Sequence, residues 1–196
     1  MDGHRPLEDR RPGPHRHPVL AVGKPDRVAS GRGWYDREFG VLPAGAGGGA
    51  AGRPAPGDIA WNWAGIQLDD GTELSVFSSY NHGTGRPVCR SLVAVDAAGR
   101  RAWRPDPVLE PVRTWRSTRT FLDYPVGWRL SVPGGGTALE LEAAFDDQEF
   151  ITLASKRALW EGRCEVRGTV EGRPVAGLAF VERSGFESVK GLDDFF

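Results

Sequence analysis

The sequence predicts an all-β domain, an antiparallel β-barrel of about eight to ten short strands, and three observations predict it. One is a DG turn: Trp61 to Leu68 and Glu73 to Tyr80 flank Asp69-Asp70-Gly71-Thr72, and a DG pair between β-rich runs is a strong hairpin signal. Another is the repetition of such pairs. Ser91 to Val95 turns at Ala98-Gly99, Trp128 to Val132 turns at Gly134-Gly135-Gly136, and Arg163 to Val170 turns at Glu171-Gly172 into Pro174 to Glu182. The third is the scarcity of helical periodicity, since only Gln148 to Leu159 reads as one short helix or another strand. Meander connectivity with 7 tryptophans and 27 glycines favours an up-and-down barrel over a two-sheet sandwich.

Around this barrel, residues 1–18 are crowded with Arg, His and Pro (His4, Arg5, Arg10, Arg11, His15, Arg16, His17) and hold few apolar residues. Such a segment cannot offset its own ordering entropy, so it is expected as a disordered tail, with 19–196 as the barrel domain. It also lacks an apolar run long enough for a signal peptide or membrane span, so the expected location is cytoplasmic. Ala44 to Gly57 is a Gly/Ala/Pro loop, read either as a flap over the barrel mouth or as a tolerated insertion.

Composition removes several classes of function. With 25 Lys+Arg against 26 Asp+Glu, net charge −1 and the signs interspersed, no basic surface for nucleic acid or anionic lipid stands out. Cys89 and Cys164 lie in no CxxC or Cys/His cluster, so no metal site is expected and each reads as a small buried residue. No dinucleotide fingerprint is present, and Gly83-Thr84-Gly85 is too short for a phosphate cradle; no cofactor is expected.

Several segments, taken in order, resemble one family. They are Gly33 to Gly40 (GWYDREFG), Trp61-Asn62-Trp63, Ile66 to Leu74, Trp115-Arg116-Ser117, Tyr124 to Leu130, Asp147-Gln148-Glu149, Trp160-Glu161-Gly162, Gly168 and Gly177 to Phe186. Over about residues 20–186 the chain resembles the second half of the carotenoid hydratase (hydroxyneurosporene synthase) and AttH family. The resemblance implies a lipocalin-like barrel and a second such domain elsewhere, since family members normally carry two. Only the last strand or so of the first, around Val19 to Val28, has room here. It also implies a choice of chemistries on apolar molecules: hydration of isoprenoid or phenolic substrates, or pericyclic cyclisation of polyketides.

Hydration of an alkene needs a proton delivered to carbon, a shielded cation and water, hence a protonated acid beside aromatic faces. Trp34 to Phe39 supplies both, and strand alternation sets Tyr35, Arg37 and Phe39 on one face with Trp34, Asp36 and Glu38 on the other. Hydratases of the family resemble D-H-x-W-G here, whereas this chain reads Asp36-Arg37-Glu38-Phe39-Gly40. Arg37 cannot shuttle protons near neutral pH, but it suits gripping an oxygenated head group. Asp36, Arg37, Glu161 and Glu182 are therefore the candidate catalytic residues. Their structural alternative is that of strand charges facing solvent.

Trp61 and Trp63 share a face with Gln67 and are expected to meet Tyr80 and Ser78 across the hairpin as an aromatic wall with polar handles. Together with Tyr35, Phe39, Tyr124 and Trp160 they form the candidate substrate-binding set, core packing being the alternative. Asp69 and Asp70 are explained by their turn, and His82 by its loop.

Two functions follow. One is a cofactor-independent lyase, isomerase or cyclase, hydratase-like or pericyclase-like, acting on an apolar polyene, terpenoid or polyketide of secondary metabolism. The other is a non-catalytic carrier of such a molecule, or half of a split two-domain protein whose partner is a separate first domain.

Overall fold

The computed structural model describes residues 59–81, 83–152 and 157–184, all within one compact unit spanning Gly40–Phe196. The expectations for residues 1–18, for the loop 44–57, for His82, and for Tyr35, Asp36, Arg37 and Phe39 lie outside them.

The described chain is all β: β1 (Ile59–Leu68), β2 (Glu73–Asn81), β3 (Pro87–Val95), β4 (Arg101–Pro105), β5 (Val108–Arg116), β6 (Asp123–Val132), β7 (Thr137–Ala143), β8 (Glu149–Thr152), β9 (Arg157–Val170) and β10 (Arg173–Ser184). Each hairpin expected from its turn residues forms. At the DG turn Gly71 takes φ +83°, which a side chain disfavours, and Asp70 Oδ1 accepts from the Thr72 amide at 2.9 Å. Asp69 Oδ1 accepts from the Ala176 amide, so both aspartates serve the turn. The ambiguous stretch after Gln148 begins as strand β8, paired with β9.

All pairings are antiparallel, in the order β4-β3-β2-β1-β10-β9-β7-β6-β5, with β8 also on β9. Alternation gives each strand an inner face, and these faces share one core that includes Ile66, Val76, Leu92, Leu109, Val126, Leu141, Val166 and Val181. Sheet ends β4 and β5 are consecutive in the chain, yet no ladder joins them among the described residues. The result is a half-barrel, in line with the antiparallel barrel-type domain expected. Along these edge strands Pro105 and Pro111 carry no amide hydrogen, and the β5–β6 ladder shifts register on either side of Arg113. Arg113 steadies that edge with a fork to Asp146 (3.0 and 2.8 Å) and a bond from Nε to Glu142 (2.6 Å).

Cys164 is buried on β9, and burial pushes its thiol up to about 12. Cys89 departs from expectation, being exposed on β3: it lies opposite Ser79 on the outer side of the sheet, so it is not a core residue.

The Trp160-Glu161-Gly162 triplet has a packing explanation. Trp160 and Gly162 both face inward, and the indole of Trp160 lies where a Cβ on residue 162 would sit, packing against Trp128 at 5.3 Å between ring centroids. Gly162→Ala should therefore displace Trp160 and cost about 1–3 kcal/mol, the usual overpacking penalty. Urea unfolding with near-ultraviolet circular dichroism checks this. Unchanged stability and an unchanged tryptophan signal would remove the close packing.

Candidate functional site: a polar row inside the half-barrel

In β1 the even residues Ala60, Asn62, Ala64, Ile66 and Leu68 are buried, so Trp61, Trp63 and Gln67 face outward. The register pairs Asn62 with Ser78 and Ala60 with Tyr80, while Trp61 and Trp63 meet Ser79 and Phe77. The expected wall of Trp61, Trp63, Tyr80 and Ser78 is thus not built. The tryptophans point to one side of the sheet and Tyr80 and Ser78 to the other, because successive strand residues alternate. Outside, Trp61 Nε1 donates to Glu182 (3.0 Å), Trp63 Nε1 to Ser75 Oγ (3.2 Å), and Gln67 reaches Glu73 at 3.5 Å.

Glu161 and Glu182 sit directly opposite each other on that same outer face, paired between β9 and β10. Neither points into the barrel. Desolvation raises the Glu161 carboxyl above the ordinary carboxylate range.

The inner face carries a different set. One line of register crosses six strands: Glu149 on β8 faces Trp160 on β9, Trp160 faces Arg183 on β10, Arg183 faces Asn62 on β1, Asn62 faces Ser78 on β2, and Ser78 faces Arg90 on β3. The neighbouring line on β10, β1, β2 and β3 is wholly apolar, Val181, Ala64, Val76 and Leu92. A polar row in such a core needs partners, and its members find them unequally.

At one end of the row Glu149, 7% exposed, is saturated. It accepts from Ser117 Oγ (2.7 Å), Thr120 Oγ1 and Tyr124 OH (2.9 Å) and ion-pairs with Arg119 Nε at 3.3 Å. A carboxylate has about four acceptor sites, and four donors fill them. Glu149 therefore clamps β8 onto the β5–β6 turn and has no lone pair left for a substrate. Tyr124, fully buried and stacked on Trp115, belongs to this clamp. Trp160 is also fully buried and donates to the Asp146 carbonyl at 2.8 Å. Both candidate binding residues are thus core residues bordering the row.

The middle of the row holds Arg183, Asn62, Ser78 and Arg90. Arg183 Nη1 reaches Asn62 Oδ1 at 3.4 Å, and Arg90 pairs with Asp106 at 3.4 Å. Ser78 Oγ, fully buried, has no hydrogen-bond partner among the described residues. Here lies a pocket of about 290 Å³, where Asn62, Tyr80, Asn81 and Arg183 from the sheet centre face Leu109 and Pro111 of edge strand β5. A guanidinium, an amide and a phenol opposite an apolar edge suit an apolar molecule bearing an oxygen function.

Asn62, Arg90 and Arg183 were not among the sequence candidates, and Ser78 was expected only as a polar handle beside Trp61 and Trp63. The available signal was the inward phase of β1 and β10: polar residues at positions whose same-phase neighbours are Ala, Ile, Leu and Val. Among the described residues no cluster of His, Cys, Asp or Glu could hold a metal ion, and no helix is long and apolar enough to cross a membrane.

The described residues thus form an antiparallel half-barrel with a polar inner row and a lateral pocket. Comparison with known proteins narrows this: the AttH-like family model matches residues 18–186, so the chain belongs to the AttH-like family. Kievitone hydratase of Fusarium solani subsp. phaseoli is 26% identical over 154 residues, covering 76% of this chain and 39% of that protein. Among solved structures, a protein assigned as AttH from Nitrosomonas europaea matches with TM-score 0.57 and 31% identity, over 66% of this chain and 39% of that one. Kievitone hydratase from Nectria haematococca matches with TM-score 0.55 and 22% identity, over 69% and 40%, a likeness of fold. The chain spans about two fifths of the length of these relatives.

Two predictions follow from the clamp and the outer glutamates. Glu149→Ala should cost about 3–5 kcal/mol, because it strands Arg119 and three hydroxyl donors. Chemical denaturation measures it, and a loss below about 1 kcal/mol would show that the clamp carries no weight. Glu161, with its pKa raised in the fold, contributes stability that is full below about pH 4 and is lost as pH rises through the folded value. Glu161→Gln should therefore stabilise the protein at pH 7 and not at pH 4. Equal effects at both pH values would contradict the shift.

Proposed function

We propose that the chain is the ligand-binding half of a hydratase-like enzyme, acting without a cofactor on an apolar, oxygen-bearing molecule of secondary metabolism held against the Asn62–Arg183 pocket. The observation that carries this is the pairing of Arg183 with Asn62 beside the Ser78 hydroxyl, which has no partner among the described residues, inside an apolar half-barrel and opposite Leu109 and Pro111. The family membership and the likeness to kievitone hydratase support the hydratase class.

In this reading Arg183 takes the task the sequence suggested for Arg37. A guanidinium keeps its charge at neutral pH, so it donates to a carbonyl or phenolate oxygen and draws electron density from a conjugated double bond. Water then adds across that bond, its oxygen joining one carbon and a proton the other. Ser78 offers a donor and acceptor for positioning that water or a substrate hydroxyl, and Tyr80 borders the mouth. Asp36, the proton donor the sequence offers, lies outside the described residues. The relatives' greater length favours a second domain as partner, completing the chamber beyond the open seam.

The test uses kievitone as probe with the full chain, binding followed by tryptophan fluorescence and conversion by the mass gain of one water. Binding should occur, and Arg183→Gln should weaken it at least tenfold while leaving the fold intact, the cost of losing a desolvated charged contact. Equal affinity in wild type and variant would remove Arg183 from the site. Binding without conversion, unchanged on adding the other domain of a relative, would favour a carrier.

A further inference from the structure

At the other end of the half-barrel lies a second cleft, sharing no lining residue with the first, between the inner face of β3–β4 and the β6–β7 and β9–β10 turns. Its volume is about 360 Å³. The floor is apolar: Leu74 and Leu92 are 3% and 2% exposed, with Ala94 and Ala102 beside them. The rim is basic, four arginines (Arg100, Arg101, Arg104 and Arg173) against two carboxylates (Asp96 and Glu171).

Both carboxylates are engaged. Asp96 holds the Arg100 guanidinium at 2.7 Å and caps its own turn through the Ala98 and Arg100 amides. Glu171 lies 4.0 Å from Arg173, the outer limit of an ion pair, with both side chains about two-thirds exposed. Arg104 points to the inner side of β4, opposite Leu92, and its hydrogen bond goes to the Trp103 carbonyl at 3.2 Å. Among the described residues no carboxylate pairs with Arg104 or Arg101.

Arg104 from β4 and Arg173 from the start of β10 thus line one cleft from different walls, with the largely buried Leu74 and Leu92 at its base. A charge-assisted pair with a guanidinium is strongest for a planar oxyanion, and the floor offers burial for a hydrocarbon body. We propose that this cleft is a second binding site, for an amphipathic monocarboxylate whose apolar chain lies on Leu74, Leu92, Ala94 and Ala102 and whose carboxylate is held by Arg104 and Arg173. The site is distinct from the Asn62–Arg183 pocket and stands whether or not that pocket hydrates a substrate.

Calorimetric titration of the full chain with sodium decanoate, below its micelle threshold, and with 1-decanol tests it. Decanoate should bind at least tenfold more tightly than decanol. Arg104→Gln and Arg173→Gln should each weaken decanoate at least fivefold with decanol unchanged, and Arg183→Gln should leave decanoate within twofold. Both arginines are exposed, so the variants should fold, and circular dichroism verifies this. Equal binding of acid and alcohol, absence of decanoate binding, or indifference to Arg104 and Arg173 would overturn the proposal. So would loss of decanoate binding in Arg183→Gln alone, which would return the acid to the first pocket.

Discussion

The register of β1 between β10 and β2 decides which side chains this half-barrel keeps inside. Eight consecutive pairs to β10 and nine to β2 leave β1 no freedom to slip, and a shift by one residue would exchange Asn62 and Ile66 for Trp61 and Gln67. The Asp69-Asp70-Gly71-Thr72 turn holds the β2 side of that register, and Asp69 ties the same turn to β10. Everything functional then depends on it: the polar row crosses the sheet because Arg183, Asn62 and Ser78 share one phase.

A second constraint is the seam. Strands β4 and β5 follow one another directly yet end the sheet on opposite sides, which leaves the inner face reachable from the side. The clamps around this opening are ionic and local: Arg113 on Asp146 and Glu142, and Glu149 with its ring of hydroxyls and Arg119. Arg113 holds the Asp146 carboxyl below the ordinary carboxylate range, so that contribution is present above about pH 4 and lost on further acidification. Rigidity beside an opening is what a binding wall requires.

Much of this was legible in the chain itself. Turn chemistry located four hairpins, β1–β2, β3–β4, β6–β7 and β9–β10, because Asp-Gly, Ala-Gly, Gly-Gly and Glu-Gly each supply the backbone freedom a reversal needs, while β2–β3 and β5–β6 carried no such signal. Facing was harder. The eye goes to Trp61 and Trp63, but tryptophan tolerates a half-exposed outer face when its N–H finds Glu182 or Ser75, whereas Asn62 between them is the buried residue. Reading the inward phase from Ala60, Ala64, Ile66 and Leu68 would have placed Asn62 inside, and the same reading of Val175, Ala179 and Val181 would have placed Arg183. Glu149 was not legible from alternation, because its four donors come from strands and turns about 25 to 32 residues away. The open seam was equally hidden, since turn residues mark where the chain reverses and not which strands end the sheet.

The claim on which the account turns is that Asn62 faces in and Trp63 faces out, and thiol labelling measures it directly. In a Cys89→Ala background, with buried Cys164 as the slow internal reference, Asn62→Cys and Trp63→Cys would be modified by an aqueous thiol reagent under native conditions. The account predicts that Trp63→Cys reacts at least tenfold faster than Asn62→Cys, whose thiol sits beside Ser78 on the inner face. Faster labelling of Asn62→Cys would place the opposite face of β1 inside the half-barrel and dissolve the polar row.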